Sequence, residues 1–378
     1  MLLRSFFTTL LSFVFLVLLS CSPNKDAKED RENYLLLAAI ANPATEGFVN
    51  SADGTKIFYT KVGTGVPVVV LHGGPGLDHN YLVEPLKATM GSGIQLIFFD
   101  QRGTGFSEGS FRQINSSFIN KTKFLEDLDA IRTGLNLGEQ INILGHSWGG
   151  LYAMLYATDA KYRARVKSLA LVSSAGAVHT YYGPPATGNT FLNLLVTKAG
   201  GGAAFTTLAG FQAPIDPSNA NYAPTLKALN AYYGFLFKFY FADYTPSNNQ
   251  NGTSVNFASL NLNSSTEKTI RNGLSVSSLI NASLIIDTAS YAGGAVGTSN
   301  LDIRTALAGI TFPVKLIHGA DDVVPPGFII NNGTANANSV ETALTGVVET
   351  KHLIANCGHF PFIEKPSEFS AAISGFFK

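Results

Sequence analysis

A serine stands between two glycines in the pentapeptide Gly-His-Ser-Trp-Gly at residues 145–149. Residues 141–144 before it predict a buried strand, and residues 151–157 after it predict a helix. A strand-turn-helix of this kind forces strained backbone angles on the serine and leaves room only for glycine two residues away. The hydroxyl then stands at a helix N-terminus, where backbone N–H groups stabilise an oxyanion. The pattern indicates that Ser147 is a nucleophile.

A serine nucleophile needs a base to accept its proton and an acid to orient that base. Residues 312–319 predict a buried strand that runs into a loop with Asp321 and Asp322. Residues 352–355 predict a last strand, which is followed by His359. The chain order serine, acid, histidine is the order of elbow enzymes. We therefore assign His359 as the base and Asp322 as the acid, with Asp321 as a rival that is expected to cap the turn.

Two backbone amides are the expected oxyanion donors. One is the N–H of Trp148, which follows the nucleophile. Residues 66–71 are a near-continuous apolar run, typical of a parallel strand covered on both faces, and they end in His-Gly-Gly-Pro-Gly at residues 72–76. Glycines let this backbone approach a substrate and the proline stiffens it, so Gly74 is our choice for the second amide. The alternative is that the glycine-rich loop serves merely as a turn.

A third predicted strand, residues 94–99, runs into a loop that begins Asp-Gln-Arg. We interpret Asp100 and Arg102 as a brace for the floor of the site, tied into hydrogen bonds and not reactive themselves.

The alternation of such strands with helical patterns predicts an α/β protein. Its central sheet is mostly parallel, with helices on both faces and an inserted cap. Residues 46–175 and 301–378 form this core, and residues 176–300 form the cap or lid insert.

The composition excludes several classes of protein. The net charge is zero and 14% of the residues are charged, so no basic surface for nucleic acid is expected. Seven histidines are present, but none has the H-E-x-x-H type of spacing, so we expect no metal. His318 and His352 lie in predicted strands as structural residues, and His146 is expected to point away from the nucleophile. Nothing in the pattern specifies an oligomeric state.

The loops taken together resemble those of the proline iminopeptidase branch of the α/β-hydrolase superfamily. The motifs are His-Gly-Gly-Pro-Gly, Asp-Gln-Arg-Gly-x-Gly-x-Ser, Gly-x-Ser-Trp-Gly, Gly-x-x-Asp-x-Val-x-Pro and Gly-His, spread from about residue 48 to the C-terminus. Members of this branch cleave an N-terminal residue, often proline, from short peptides without a cofactor. The resemblance implies a nucleophile, an acid, a base and two oxyanion donors, which are Ser147, Asp322, His359, Gly74 and Trp148.

The insert departs from the pattern of this branch, in which cap carboxylates around a tryptophan–glutamate pair hold the free amine of the substrate. Residues 176–300 contain no tryptophan, and their acidic residues are Asp216, Asp243, Glu267 and Asp287. They offer an aromatic run at residues 232–241, which we interpret as a cap helix packed on the core. The alternative is an apolar lid and substrate pocket over Ser147.

The N-terminus predicts a separate element. A short basic start precedes the apolar run 6–19, which is too short to span a bilayer comfortably. Residues 1–20 resemble a bacterial lipoprotein signal peptide, with lipid on the thiol of Cys21, and residues 21–45 form a charged, flexible tether. An ordinary signal peptide or an uncleaved anchor is the alternative. We expect a protein at the bacterial cell envelope, outside the cytoplasm, held to the membrane by its N-terminal lipid.

Two classes of function are compatible with these features. The first is a serine hydrolase that acts on a short-peptide or small-molecule substrate. It is either of proline iminopeptidase type or a carboxylesterase- or lipase-like enzyme for small or apolar esters. The second is a surface lipoprotein that uses the scaffold for binding alone. A binding protein has little reason to keep serine, acid, base and both oxyanion loops, so the hydrolase of iminopeptidase type is preferred.

Overall fold

A sheet of eight strands organises the part of the chain that the structure, a computed structural model, describes. The described residues are 45–74, 77–109, 117–177, 197–203, 206–207, 210, 237–242, 303–324, 340–344 and 348–378. They belong to one unit, Thr45–Lys378. The predicted signal peptide, Cys21, the tether up to residue 44 and most of the insert lie outside the described residues.

The strands follow one another along the chain with connections that carry the helices. In chain order they are β1 Thr45–Asn50, β2 Lys56–Gly63, β3 Gly65–Leu71, β4 Gly93–Phe99, β5 Ile141–His146, β6 Val166–Val172, β7 Val314–Gly319 and β8 Val348–Ile354. The helices are α1 Asn80–Thr89, α2 Lys121–Gly134, α3 Trp148–Thr158, α4 Arg304–Leu307, α5 Val340–Ala343, α6 Pro361–Glu364 and α7 Pro366–Ile373. Short 3₁₀ turns cover Arg163–Arg165 and Phe237–Tyr240.

The strand order across the sheet is β1-β2-β4-β3-β5-β6-β7-β8. All pairs from β4 to β8 are parallel, whereas β1 pairs with β2, and β2 with β4, in antiparallel fashion. The prediction of a mostly parallel α/β sheet is confirmed. The first two strands form an antiparallel edge that the sequence interpretation does not contain, and β1 begins one residue before the predicted start of the core.

Both faces of the sheet are covered, which explains the continuous apolar strands. In β3, Val69 and Leu71 belong to a buried cluster that includes residues of α2 and α3, whereas Val68 and Val70 belong to a second cluster with residues of α1 and α7. All four of these side chains are fully buried. Each contributes about 1.5–3 kcal/mol through removal of its apolar surface from water. Helix α3 is buried from Trp148 to Ala157, so it too lies inside the protein.

Parallel strands bring their carboxyl ends to one edge of the sheet, where open α/β sheets carry their sites. The ends of β3, β5, β7 and β8 are followed by the oxyanion loop, by Ser147, by Asp322 and by His359, respectively. Four segments that are far apart in the sequence therefore meet at this edge. No helix among the described residues is long and apolar enough to cross a bilayer.

Candidate active site

Ser147 lies in the turn between β5 and α3 and has a strained backbone, with φ 57° and ψ −124°. A residue other than glycine in such a conformation costs about 1–3 kcal/mol. A Cβ atom on Gly149 would lie 2.1 Å from the carbonyl oxygen of Leu71, and one on Gly145 would lie 2.5 Å from that of Gly149. Neighbouring backbone therefore leaves no space for a side chain at either glycine.

Backbone hydrogen bonds hold this turn against the end of β6. The N–H of Ser147 donates to the carbonyl of Val172 at 3.1 Å, and the carbonyl of Ser147 accepts from Gly150 and Ala175, each at 2.9 Å. Ser147 is partly exposed, whereas its neighbours on both sides in β5 and α3 are buried. Its hydroxyl has no hydrogen-bond partner among the described residues, so the turn presents an uncommitted Oγ at the edge of the sheet.

The structure brings His359 and Asp322 together. The Nδ1 atom of His359 lies 3.0 Å from Oδ1 and 2.9 Å from Oδ2 of Asp322. The N–H of Val324 donates to Oδ1 of Asp322 at 2.8 Å, which fixes the carboxylate. Asp321, the rival acid, is exposed, and its N–H donates to the carbonyl of Cys357 at 2.9 Å. Asp322 is thus the carboxylate that contacts the histidine.

Burial governs the titration of this pair. It lowers the pKa of His359 to about 3. It also raises the pKa of Asp322 to about 7, against the lowering effects of His318 and of the Val324 amide. Both shifts disfavour a resting ion pair, so the imidazole of His359 is uncharged at neutral pH. Because Nδ1 carries the proton donated to Asp322, Nε2 is left with a lone pair that is able to accept a proton.

A second histidine, His318 at the end of β7, also contacts the carboxylate. Its Nε2 lies 2.9 Å from the carbonyl oxygen of Val324 and 3.3 Å from Oδ2 of Asp322. Burial lowers the pKa of His318, so its ring is neutral and Nε2–H is the donor. The sequence interpretation treats His318 as a structural histidine in a strand and misses this contact, because strand periodicity carries no information about the loop beyond the strand.

In the loop after β3, the backbone N–H of Gly73 is hydrogen-bonded, whereas that of Gly74 has no partner among the described residues. The N–H of Gly73 donates to the hydroxyl of Tyr81 at 2.7 Å. Gly74 has φ 127°, a conformation that suits glycine. Neither its N–H nor that of Trp148, the first residue of α3, has a hydrogen-bond partner among the described residues. These are the two amides that the sequence predicts as oxyanion donors.

Side chains of the loop after β4 brace the same region. The amide of Gln101 donates to Nε2 of His72 at 3.1 Å, and its side chain donates to the carbonyl of His72 at 2.8 Å. The indole N–H of Trp148 donates to Oε1 of Gln101 at 3.2 Å. His72 in turn donates from Nδ1 to the carbonyl of Gly73 at 2.8 Å, which defines its tautomer. The oxyanion loop and the start of α3 are therefore joined through Gln101.

Asp100 and Arg102 are both tied into hydrogen bonds. Asp100 accepts from the amide of Phe106 at 2.7 Å, and Nδ1 of His79 lies 2.7 Å from its Oδ1. The guanidinium of Arg102 contacts both carboxylate oxygens of Asp127 at 2.7 Å. The arrangement agrees with the interpretation of these residues as a brace.

A described segment of the insert, residues 237–242, packs against the loop of His359. The carbonyl of Tyr240 accepts from the N–H of His359 at 2.7 Å, and the two rings make an edge contact with centroids 4.9 Å apart. The carboxylate of Glu364 accepts from the amides of Ala242, Gly358 and Phe360 at 2.8–3.1 Å. The end of the aromatic run therefore packs on the core, as the first interpretation of it predicts. Its earlier residues, 232–236, lie outside the described part.

Cys357, two residues before His359, is buried, and burial raises the pKa of its thiol. Within the described ranges, no three His, Cys, Asp or Glu side chains are grouped as a metal site. The acidic residues of the insert, Asp216, Asp243, Glu267 and Asp287, lie outside the described residues, as does Cys21.

The family model for the alpha/beta hydrolase fold matches residues 66–366. This range covers most of the chain, both of the segments that carry the site and the insert between them. The chain therefore belongs to the α/β-hydrolase fold family.

About a third of the chain is similar in sequence to proline iminopeptidases. The proline iminopeptidase of Clostridioides difficile (strain 630) is 40% identical over 134 residues, which is 34% of this chain and 43% of that protein. The proline iminopeptidase of Lactobacillus delbrueckii subsp. lactis is 39% identical over 108 residues, which is 29% of this chain and 36% of that protein. Each match spans less than half the length of the relative.

Solved structures show the same fold over a larger share of the chain. VinJ has a TM-score of 0.59 at 18% identity, covering 88% of this chain and 98% of its own. A proline iminopeptidase from Mycobacterium smegmatis has a TM-score of 0.55 at 20% identity, covering 88% and 97%. The esterase RhEst1 from Rhodococcus sp. ECU1013 has a TM-score of 0.54 at 20% identity, covering 88% and 98%. At these identities the likeness shows the fold alone.

Proposed function

We propose that the protein is a cofactor-free serine hydrolase of proline iminopeptidase type, which releases an N-terminal residue of proline type from short peptides. The observation that carries the proposal is the contact of His359 Nδ1 with Asp322 at 2.9 Å, at the sheet edge that also holds the strained Ser147. The proline iminopeptidases at about 40% identity support the choice of substrate.

In the proposed mechanism, Ser147 Oγ attacks the carbonyl carbon of the first peptide bond, and Nε2 of His359 takes its proton. The carbonyl oxygen becomes an oxyanion that accepts hydrogen bonds from the amides of Gly74 and Trp148. Asp322 stabilises the imidazolium through Nδ1. His359 then gives the proton to the leaving nitrogen, the C–N bond breaks, and an ester of the N-terminal residue remains on Ser147.

A water molecule then hydrolyses the ester on Ser147, with His359 again acting first as base and then as acid. Nε2 of His359 takes a proton from the water molecule as its oxygen attacks the ester carbon, and a second oxyanion forms at the same two amides. The bond to Ser147 Oγ breaks, and His359 returns the proton to that oxygen. The products are the free N-terminal residue and the shortened peptide, and no oxidant, reductant or metal takes part.

A second candidate, hydrolysis of small or apolar esters, is favoured by the insert. The described part of the insert near His359 is aromatic, with Phe239, Tyr240 and Phe241 buried. The insert as a whole is poor in carboxylates, which are the groups that bind a substrate ammonium. The esterase from Rhodococcus shares the fold. Both candidates use the same Ser147, His359 and Asp322, so they differ only in substrate.

Turnover of three chromogenic substrates separates the candidates. The chain lacking its first twenty residues is assayed on proline p-nitroanilide, on its N-acetylated form and on p-nitrophenyl butyrate. Cleavage of the free-amine anilide alone supports the iminopeptidase, and cleavage of the ester alone supports the esterase. Ser147→Ala is expected to lower kcat by about 10⁴-fold or more. The exposed Ser367→Ala is the matched control, and undiminished activity of Ser147→Ala contradicts both candidates.

We also propose that Cys21 is lipid-modified and holds the enzyme at the cell envelope. The support is the sequence alone: a basic start, the apolar run 6–19 and Leu-Leu-Ser before Cys21. Metabolic labelling of the full chain in a bacterial host with an alkynyl fatty acid is expected to label the protein and to place it in the membrane fraction. Cys21→Ser should lose both the label and the membrane association, and Ser22→Ala should keep both. Equal labelling of both variants would refute the assignment.

A further inference from the structure

His146, the residue before Ser147, contacts two of the loops that meet at the site. Its Nδ1 lies 2.7 Å from the hydroxyl of Tyr81, and its Nε2 lies 2.9 Å from the carbonyl oxygen of His359. The same Tyr81 hydroxyl accepts from the N–H of Gly73 in the oxyanion loop at 2.7 Å. Both side chains are almost fully buried, with relative exposures of 1% for His146 and 3% for Tyr81. One chain of hydrogen bonds thus joins the oxyanion loop, the elbow and the loop of the catalytic histidine.

The donor and acceptor groups in this series of hydrogen bonds allow only one placement of the hydrogen atoms. The carbonyl oxygen of His359 only accepts, so Nε2 of His146 carries a hydrogen. Burial and the neighbouring His359 lower the pKa of His146 well below its usual value, so the ring is neutral and Nδ1 has a lone pair. The hydroxyl hydrogen of Tyr81 points to that lone pair, and the hydroxyl oxygen receives the amide of Gly73. All three hydrogen bonds are satisfied at once.

We propose that Tyr81 and His146 are positioning residues, which set the oxyanion loop and the backbone of His359 at the right places relative to Ser147. The proposal rests on the proposed function. It assigns to His146 a role that differs from the expectation that this side chain merely points away from the nucleophile. Neither residue touches the reacting atoms in the mechanism above.

Packing around the hydrogen bonds supports a positioning role. A Cβ atom on Gly73 would lie 2.9 Å from the hydroxyl of Tyr81 and 3.1 Å from the Cβ of Ser147, so the loop passes directly between these two side chains. The rings of His146 and His359 are 4.8 Å apart, centroid to centroid. Because the N–H of His359 is also bound, by the carbonyl of Tyr240 at 2.7 Å, the backbone of His359 is held on both sides.

Loss of these hydrogen bonds among Gly73, Tyr81, His146 and His359 should lower the rate of the chemical step more than it weakens substrate binding. A displacement of about 1 Å at the oxyanion loop or at the base is able to cost about 100-fold in rate. Tyr81→Phe keeps the aromatic ring but removes the hydroxyl, so the amide of Gly73 and Nδ1 of His146 both lose their partner. We expect kcat to fall by about 10- to 100-fold, with KM changed by less than about threefold.

Two substitutions at His146 test the same set of hydrogen bonds through its contacts with Tyr81 and His359. His146→Gln offers an N–H for the carbonyl of His359 and an oxygen for the hydroxyl of Tyr81, whereas His146→Leu offers neither. Activity should therefore decrease in the order wild type, His146→Gln, His146→Leu. Tyr162→Phe is the matched control, because Tyr162 is a buried tyrosine stacked on Tyr156 away from the site. It should retain the wild-type kcat.

The experiment measures kcat and KM on the best substrate, together with the rate at which a fluorophosphonate labels Ser147. The fraction of labelled protein gives the concentration of folded sites, so that a loss of folded enzyme is separated from a slower reaction. Wild-type kcat and labelling rate in Tyr81→Phe would overturn the positioning role while leaving the proposed function intact, and so would equal activity of the two His146 variants. A wild-type protein that neither turns over nor is labelled would overturn the proposed function, and the positioning role with it.

Discussion

The substitution Arg102→Met tests whether the buried guanidinium of Arg102 stabilises the fold or takes part in the reaction. Arg102 has a fully buried side chain and makes two hydrogen bonds of 2.7 Å to Asp127, which is itself 1% exposed. It also donates to the carbonyl of Phe118 and to Asp53, each at 3.1 Å. Methionine keeps much of the volume and removes all of these donors. Asp127 is then a buried carboxylate without its cation.

The cost of that change has an upper limit set by proton uptake. Burial raises the pKa of Asp127 to about 6 even with Arg102 beside it. A carboxylate that loses its cation in the interior is able to become neutral, at a cost relative to wild type of about 1.4 kcal/mol for each pH unit above that pKa. At pH 7 this amounts to about 1.4 kcal/mol, and at pH 5 to almost nothing. The lost hydrogen bond to Phe118 adds about 1 kcal/mol at either pH. Since the folded variant holds a proton that the unfolded chain releases, its stability falls as the pH rises.

Thermal unfolding followed by circular dichroism measures this difference. An unfolding entropy of about 2 cal/mol/K per residue over a unit of about 330 residues converts about 2.4 kcal/mol into a Tm lowered by about 3–4 °C at pH 7. The corresponding loss at pH 5 is about 1–2 °C. Arg102→Met combined with Asp127→Leu should reduce the pH dependence, because the buried carboxylate is gone and only the half-buried Asp53 is left without Arg102. A Tm within about 1 °C of wild type at pH 7, or a kcat reduced more than tenfold in fully folded Arg102→Met, would refute the brace.

Three further predictions concern the elbow, the thiol and a buried histidine. Gly149→Ala should yield little soluble enzyme, because its Cβ would lie 2.1 Å from a carbonyl oxygen, whereas Gly202→Ala, with nothing within 4 Å, should express like wild type. Cys357 should resist iodoacetamide in the folded chain from residue 22 onward and react in urea, because burial raises its pKa; fast labelling with loss of activity would contradict this. Burial lowers the pKa of His72 to about 4, so the unfolded chain binds more protons between pH 6.5 and pH 4. The share of His72 in the free energy of unfolding should fall by up to about 3 kcal/mol as the pH is lowered from 6.5 to 4. Urea denaturation at several pH values should show a shallower pH dependence in His72→Asn, with the remainder coming from His146, His318 and His359; an unchanged pH dependence would contradict this.

The core of the fold could be predicted from the sequence because its strands are buried on both faces. The predicted strands at residues 66–71 and 94–99 match β3 and β4 within one residue, and the one at residues 141–144 lies within β5. An apolar run bounded by turn residues is a strong signal for such strands. The strands β1 and β2 have a mixed burial pattern, with polar and exposed residues among apolar ones, and carry no comparable signal. Their antiparallel pairing at the edge became visible only in the structure.

In the candidate site, too, some features could be predicted from the sequence and others could not. The loops of Ser147, Asp322 and His359 could be predicted because each follows a recognisable strand and the chain order restricts the choice. The hydrogen bonds that hold these loops in place could not be predicted, because they join residues far apart in the chain. His146 and His359 are 213 positions apart, and Ala242 and Glu364 are 122 positions apart. A histidine in an apolar strand, such as His318, has the same sequence pattern whether it faces a carboxylate or not.

Hydrogen bonds from the described part of the insert also hold the loops of His359 and Asp322. The amide of His359 donates to a carbonyl of the insert, at Tyr240, and not to one of the sheet. Lys198, also in the insert, donates to the carbonyls of Phe241 and Asp321 at 2.7 and 3.0 Å, and so connects the insert with the loop of the acid. The backbones that carry His359 and Asp322 are therefore held partly by the insert. With His359 as the proposed base, loss of its hydrogen bond to Tyr240 should lower the rate for every substrate, because the imidazole would be displaced relative to Ser147.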